Sequence, residues 1–183
     1  MKSRAWILTA LGQDQPGIVA AVTKILFECG ANLEDSSMAR LAGEFAMMVS
    51  FTAPAAMTEA KLRRACAPLA RRGIGVHLTS LGAAGRRAVS FGRPHLISVY
   101  GADQPGIVYR VSSLLARLKI NITDVSTQRT RPSRRGAKPL YLMVLDVELP
   151  ARVNLRSVQE QLRSLGRELA VEISLRPADT SVL

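Results

Sequence analysis

The hydrophobic residues of the chain follow two alternating spacings, and the order of the spacings indicates the order of the elements. A short apolar run at residues 5–11 predicts a buried strand. The apolar residues after it recur every three to four positions, which predicts an amphipathic helix that ends at Gly30. Residues 32–40 and 44–52 then alternate around an Ala-Gly turn, as the two strands of a hairpin do.

A second helix and a last strand complete this first half. The apolar stripe at residues 58–71 predicts a helix, in which Pro68 should produce a kink or an early end. Residues 74–80 alternate as a strand. The order strand, helix, strand, strand, helix, strand predicts an α+β fold of the ferredoxin-like type, with two helices on one face of a four-stranded antiparallel sheet.

The second half of the chain repeats the first at an offset of 89 residues. The sequence from Gly12 to Val19, GQDQPGIV, returns as GADQPGIV from Gly101 to Val108. The repeat predicts strands at 95–100, 121–129, 140–149 and 171–176, and helices from Ile107 and over 155–167. We therefore expect two βαββαβ domains, at 1–81 and 95–183, joined by a linker at 82–94. A basic insertion at 130–139 replaces the hairpin turn of the first domain.

Composition and charge narrow the class of protein. The 183 residues contain no apolar run near the roughly 20 residues that cross a bilayer, so we expect no membrane contact. Cys29 and Cys66 lack metal-ligand spacing, and we expect them to face the cores of a cytoplasmic protein. The net charge of +11 is concentrated in the insertion and the linker. The insertion offers four cations as contacts for a partner or for nucleic acid: Arg131, Arg134, Arg135 and Lys138.

The same insertion is the best argument for nucleic-acid binding, since a basic loop can neutralise phosphates. Aromatic residues are only 4% of the chain, which provides no stacking platform for bases, and no helix-turn-helix pattern occurs. We therefore favour a solvated loop or a docking arm for an acidic partner protein over direct binding of nucleic acid.

The repeated turn is the candidate binding site. A strand that enters a helix through Asp-Gln-Pro-Gly presents the unpaired amides of the first helical turn, near Gly17 and Ile18, to an anion. Asp14 can accept hydrogen bonds from an ammonium group, and Asn32 offers both a donor and an acceptor. Together these groups suit a free amino acid. The simpler alternative is that Asp14 or Gln15 only caps the helix.

These residues also carry a family resemblance. The turn Gly-x-Asp-x-Pro-Gly-Ile-Val, with Asn-x-x-Asp downstream at Asn32 and Asp35, resembles the ACT domain, a ferredoxin-like regulatory module that commonly binds amino acids. Two such modules that fill the chain resemble the family of the glycine cleavage system transcriptional repressor. In some serine-sensing relatives a His stands at the position of Gly12 and Gly101, so one contact for serine is missing here, and smaller ligands such as glycine remain open.

The resemblance implies a ligand held by the turn of one module and the strand start of another. The implied ligand residues are Asp14, Gln15, Gly17, Ile18 and Asn32, with Asp103, Gln104, Gly106, Ile107 and Asn121. We expect a non-catalytic amino-acid sensor without a cofactor or a metal, which acts on gene expression or enzyme activity through a regulatory protein partner. The alternatives are a direct nucleic-acid binder and a scaffold subunit that has lost its ligand. A homodimer could form through the strands at 5–11 and 95–100 if they are sheet edges.

Overall fold

The computed structural model describes residues 3–81, 92–130 and 139–178. The chain divides into two compact units, Met1–Ala88 and Val89–Leu183, which we call modules 1 and 2. Among the described residues, every helix is too short or too polar to span a bilayer.

Module 1 is a four-stranded antiparallel sheet with two helices. Its strand order is β2-β3-β1-β4. The elements are β1 (Ser3–Gln13), α1 (Ile18–Glu28), β2 (Asn32–Leu41), β3 (Glu44–Pro54), α2 (Glu59–Ala70) and β4 (Gly75–Leu81).

Module 2 has the same topology, with strand order β6-β7-β5-β8. Its elements are β5 (Arg93–Ala102), α3 (Ile107–Arg117), β6 (Asn121–Arg129), β7 (Leu140–Leu149), α4 (Leu155–Glu168) and β8 (Val171–Pro177). The predicted tandem ferredoxin-like fold is confirmed. Strand β5 begins at Arg93, so the last two positions of the predicted linker at 82–94 belong to a strand. Residues 82–91 of that linker lie outside the described residues.

The strand spacing and the helix spacing of the hydrophobic residues correspond to the sheet side and the helix side of each core. On β3, every second side chain from Phe45 to Ala53 is buried, while Met48 between them is exposed. The buried face packs against Val22 and Leu26 of α1 in one apolar cluster. A strand presents alternate residues to one face of its sheet, and a helix presents one stripe, so the two patterns together form a single core.

Helix α2 passes Pro68 and ends at Ala70, one residue before the predicted end. Proline removes one helical hydrogen bond and disfavours a helical conformation in the residue before it. Here it lies in the last turn, and the buried Leu69 beside it packs in the core. The packing of that turn opposes the tendency of Pro68 to end the helix.

The prediction that residues 5–11 and 95–100 form sheet edges is wrong. Strand β1 pairs with both β3 and β4, and β5 pairs with both β7 and β8, so each is a central strand. The edges are β2 and β4 in module 1 and β6 and β8 in module 2. Exposed edge strands are commonly protected by charged residues, whereas residues 5–11 contain no charged side chain, as suits a central strand.

Candidate functional site

The turn between the first strand and the first helix has the same backbone geometry in both modules. Gly17 precedes α1 with φ 84° and ψ 9°, and Gly106 precedes α3 with φ 93° and ψ −4°. Both are in the left-handed region, where a residue without a Cβ is favoured. Ile18 and Ile107 follow directly and are buried, so each anchors the first turn of its helix in the core.

Within residues 3–81, 92–130 and 139–178, no side chain caps the first-turn amides of these two helices. Neither Gly17 nor Gly106 has a side-chain cap hydrogen bond. By contrast, Thr58 caps α2 and Asn154 caps α4 through their side-chain oxygens. Capping by Asp14 or Gln15, the simpler alternative, is therefore not what the structure shows. The uncapped amides keep their capacity to donate to an anion.

Each Asp of the turn is paired with an arginine at the end of the neighbouring hairpin. The Asp14 carboxylate accepts from Arg40, with Oδ2 3.4 Å from Nη1. In module 2, Asp103 Oδ2 lies 2.7 Å from Arg129 Nε. The aspartate side chains are 33% and 23% exposed and the arginines 71% and 66%. Both pairs therefore face solvent and can be reached by a ligand.

The glutamines of the turn hold it against the connection that follows the second helix. Gln15 Nε2 donates to the Arg72 carbonyl oxygen at 3.0 Å, and Arg72 Nη2 lies 3.4 Å from both the Gln15 amide oxygen and the Pro16 carbonyl oxygen. Gln104 Nε2 likewise donates to the carbonyl of Leu169. The side chain of each glutamine therefore fixes the position of the turn.

Asn32 and Asn121 lie far from the turn of their own module. The backbone amide of Asp14 donates to the carbonyl of Gly43 at the hairpin turn, whereas Asn32 pairs with Thr52 at the opposite end of the sheet. About eight strand residues separate the two, which is roughly 25 Å. Asn121 is also at the far end, where Nδ2 donates to Glu148 Oε2 at 3.3 Å. One module therefore cannot present its own turn and its own asparagine to one small ligand.

Comparison with known families identifies the family of both modules. Residues 5–73 and residues 95–167 match ACT domain models. The chain is a tandem ACT-domain protein. The glycine cleavage system transcriptional repressor of Escherichia coli strain K12 is 24% identical over 180 residues, which cover 96% of this chain and 90% of that protein. A crystal structure of an unknown protein from Galdieria sulphuraria matches with a TM-score of 0.84 and 26% identity, over 97% of this chain and 99% of that one.

Close contacts in each ACT module explain why glycine stands at positions 12 and 101, where some serine-sensing relatives have a His. A Cβ atom at Gly12 would lie 2.5 Å from the Gly73 carbonyl oxygen, and one at Gly101 would lie 2.7 Å from Val171 Cγ1. Gly73 lies in the connection that precedes β4, and Val171 is the first residue of β8. In this backbone, positions 12 and 101 have no room for a side chain.

Sequence reasoning missed Arg40, Arg129 and Arg72 as neighbours of the site. The signal for the first two was available, because Arg40 and Arg129 match at the same offset of 89 residues as the two turns. Arg72 has no such repeat. Gln15 contacts its backbone carbonyl, as Gln104 contacts that of Leu169, and a backbone contact does not fix the residue type at the position. The four cations of the insertion, Arg131, Arg134, Arg135 and Lys138, lie outside the described residues.

Proposed function

We propose that this protein is a non-catalytic regulatory protein that binds a small amino acid and acts on transcription through contacts with another protein. Support comes from the two ACT modules and from the similarity, over nearly the whole chain, to a protein named as a transcriptional repressor of the glycine cleavage system. The observation that carries the proposal is the turn, in which an uncapped helix start lies next to a solvent-facing Asp–Arg pair in both modules.

A zwitterion complements this turn because it has one group for each partner. Its ammonium competes with Arg40 for the Asp14 carboxylate, and its carboxylate accepts from the released guanidinium or from the first-turn amides of α1. Arg40 is exposed and its long side chain can move without unpacking the core. The same exchange is available to Asp103 and Arg129 in module 2.

The proposal assigns the turn residues as the primary contacts. Asp14, Gln15, Gly17 and Ile18 form one set, and Asp103, Gln104, Gly106 and Ile107 form the other. Asn32 and Asn121 can contact the same ligand only from a different module, which is the arrangement that the family resemblance implies. Glycine is the proposed ligand because the name of the relative, a repressor of the glycine cleavage system, contains it.

We place the protein in a reducing compartment, the cytoplasm, because Cys29 and Cys66 are both free thiols in the buried core of module 1. The proposal also includes a homodimer, which light scattering of the purified protein would test. It includes a specific regulatory protein partner as well, which pull-down from a native extract would test.

The binding experiment uses thermal shift and calorimetry with each of the twenty amino acids on the full chain. A ligand that binds only the folded state raises the midpoint of unfolding in a concentration-dependent way. Asp14→Ala with Asp103→Ala should abolish the response, and Asn32→Ala with Asn121→Ala should weaken it. Glu28→Ala is the matched control, because it also removes an exposed, ion-paired carboxylate, at the other end of α1. No response to any amino acid would reject sensing.

A further inference from the structure

A groove of about 500 Å³ lies between α3 and α4 of module 2 and runs along α3 from Tyr109 and Arg110, in its first turn, to Arg117. Its lining residues fall at one helical spacing on each helix. Ser113, Leu114 and Arg117 follow Arg110 on α3 by three, four and seven positions. Residues three, four and seven apart share one helical face, so the groove is a continuous seam between two helix faces.

The seam has an apolar floor and polar walls. Leu114 and Leu165 are buried and form the floor, while Ser113 and Ser164 line the sides. Tyr109, which also lines the groove, is 73% exposed. A seam with an apolar floor accommodates side chains of a polypeptide better than the phosphates of a nucleic acid, whose binding relies on charge.

The two ends of the seam differ in charge. At one end Arg110 forms an ion pair with Glu168, which neutralises the carboxylate that lines the groove. At the other end Arg117 lies on the wall, and among the described residues it forms no ion pair. The groove therefore offers one uncompensated cation to an occupant.

The residues around the groove carry a net positive charge, the same sign as Arg117. The helical layer of module 2, residues 107–119 and 152–168, contains seven cations and two acids. The four strands of the same module contain three cations and four acids. The excess of positive charge in the described part of this module is thus on the face that contains the groove, and an occupant of opposite charge is favoured.

We propose that the α3–α4 groove of module 2 binds an acidic segment of a partner protein, with an apolar side chain of that segment on Leu114 and Leu165 and a carboxylate at Arg117. This surface extends the proposed function, because it gives the protein-contact step a specific location. It does not require that the turns bind an amino acid, so the two proposals can fail separately.

The experiment is two-dimensional NMR of the full-length 15N-labelled chain at near-physiological salt, without amino acid. The probe is a short amphipathic peptide with Leu on one face and Glu at each polar position. The matched probes are the same peptide with Gln or with Lys in place of Glu, and a short DNA duplex. We expect saturable shifts at residues 109–117 and 161–168 with the Glu peptide, and no saturable shifts in these segments with the Gln and Lys peptides.

Two variants separate the groove from general charge attraction. Arg117→Glu should weaken binding of the Glu peptide about tenfold or more, whereas Arg156→Glu makes the same charge change on α4 away from the groove and should have little effect. Ser164→Trp fills the seam without a change in charge and should also block binding. Equal losses in Arg117→Glu and Arg156→Glu, shifts confined to other surfaces, stronger binding of DNA in the groove, or no binding at all would overturn the proposal.

Discussion

Arg40 Nη1 lies 3.4 Å from Asp14 Oδ2, and Arg129 Nε repeats the contact with Asp103 Oδ2 at 2.7 Å. Exposed ion pairs contribute little to folding, typically about 0 to 1 kcal/mol. We therefore expect double-mutant cycles with Ala, measured by urea unfolding, to give a coupling below about 1 kcal/mol for each pair. The shorter and less exposed Asp103–Arg129 pair should show the larger value. A coupling above about 3 kcal/mol would mean that the pair holds the fold together.

The same cycle tests the exchange proposed for the ligand. If an ammonium group takes the place of Arg40 on Asp14 and the ligand carboxylate accepts from the first-turn amides, the coupling between these two residues should vanish when the cycle is repeated at an amino-acid concentration that saturates the wild type. Under the same conditions the Lys24–Glu28 pair should keep its coupling, because it lies at the other end of α1. An Asp14–Arg40 coupling that stays constant as ligand saturates would show that the ligand does not displace the guanidinium.

Position 12 requires glycine because the backbone of Gly73 lies too close for a side chain. Gly75, on the neighbouring strand β4, provides a control. A Cβ atom at Gly12 would be 2.5 Å from the Gly73 oxygen, whereas one at Gly75 would be 3.6 Å from the Leu11 oxygen, an ordinary contact. Gly12→Ala should lower the free energy of unfolding by about 1 to 3 kcal/mol. Gly75→Ala should change it much less. Equal effects of the two substitutions, measured by urea unfolding, would contradict the steric explanation.

Most of the fold could be predicted from the sequence because its patterns are local. The hairpin around Ala42 and Gly43 is an example, since both residues have positive φ, 52° and 88°, as the tight turn requires. The order of strands across the sheet is not local. It depends on which strands pair after each helical crossover, and the error about the sheet edges arose there, at β1 and β5.

The chemistry of the site was predictable in its residues and less so in its geometry. The left-handed Gly17 and the uncapped helix start follow from the motif itself. The distance between Asp14 and Asn32 does not, because the antiparallel register of β2 and β3 places Asn32 at the end of the sheet away from the turn. Asp14 and Asn32 are only 18 residues apart in the sequence, but the direction of β2 places them at opposite ends of the sheet.

Gly106 tests the conformational requirement of the turn without steric interference. Its φ is 93°, and a Cβ atom there would meet nothing within 4 Å, so the cost of a side chain is only the cost of the left-handed backbone. Gly106→Ala should therefore reduce the free energy of unfolding by about 1 to 2 kcal/mol. Gly106→Asn should cost less, because Asn adopts this region more readily. Urea unfolding of both variants measures the difference, and a larger loss in the Asn variant would contradict this explanation.

The buried thiols of module 1 predict a loss of stability at alkaline pH. Burial raises the pKa of Cys66 above its ordinary value of 9.0, with a smaller contribution from Cys29, and burial also raises the pKa of Cys29. The unfolded chain ionises these thiols first as the pH rises, so ionisation favours unfolding. Their contribution to stability is complete below pH 9.0 and is lost as the pH rises toward the raised pKa values.

The measurement is the free energy of unfolding against pH, for the wild type and for Cys29→Ala with Cys66→Ala. The double variant starts from a lower stability because the smaller side chains leave space in the core, but its decline above pH 9.0 should be shallower. The comparison must stay below the ionisation of Tyr141, because burial raises its pKa above 10.0 and loss of its proton also favours unfolding. Parallel curves for the two proteins would show that the thiols do not cause the alkaline loss.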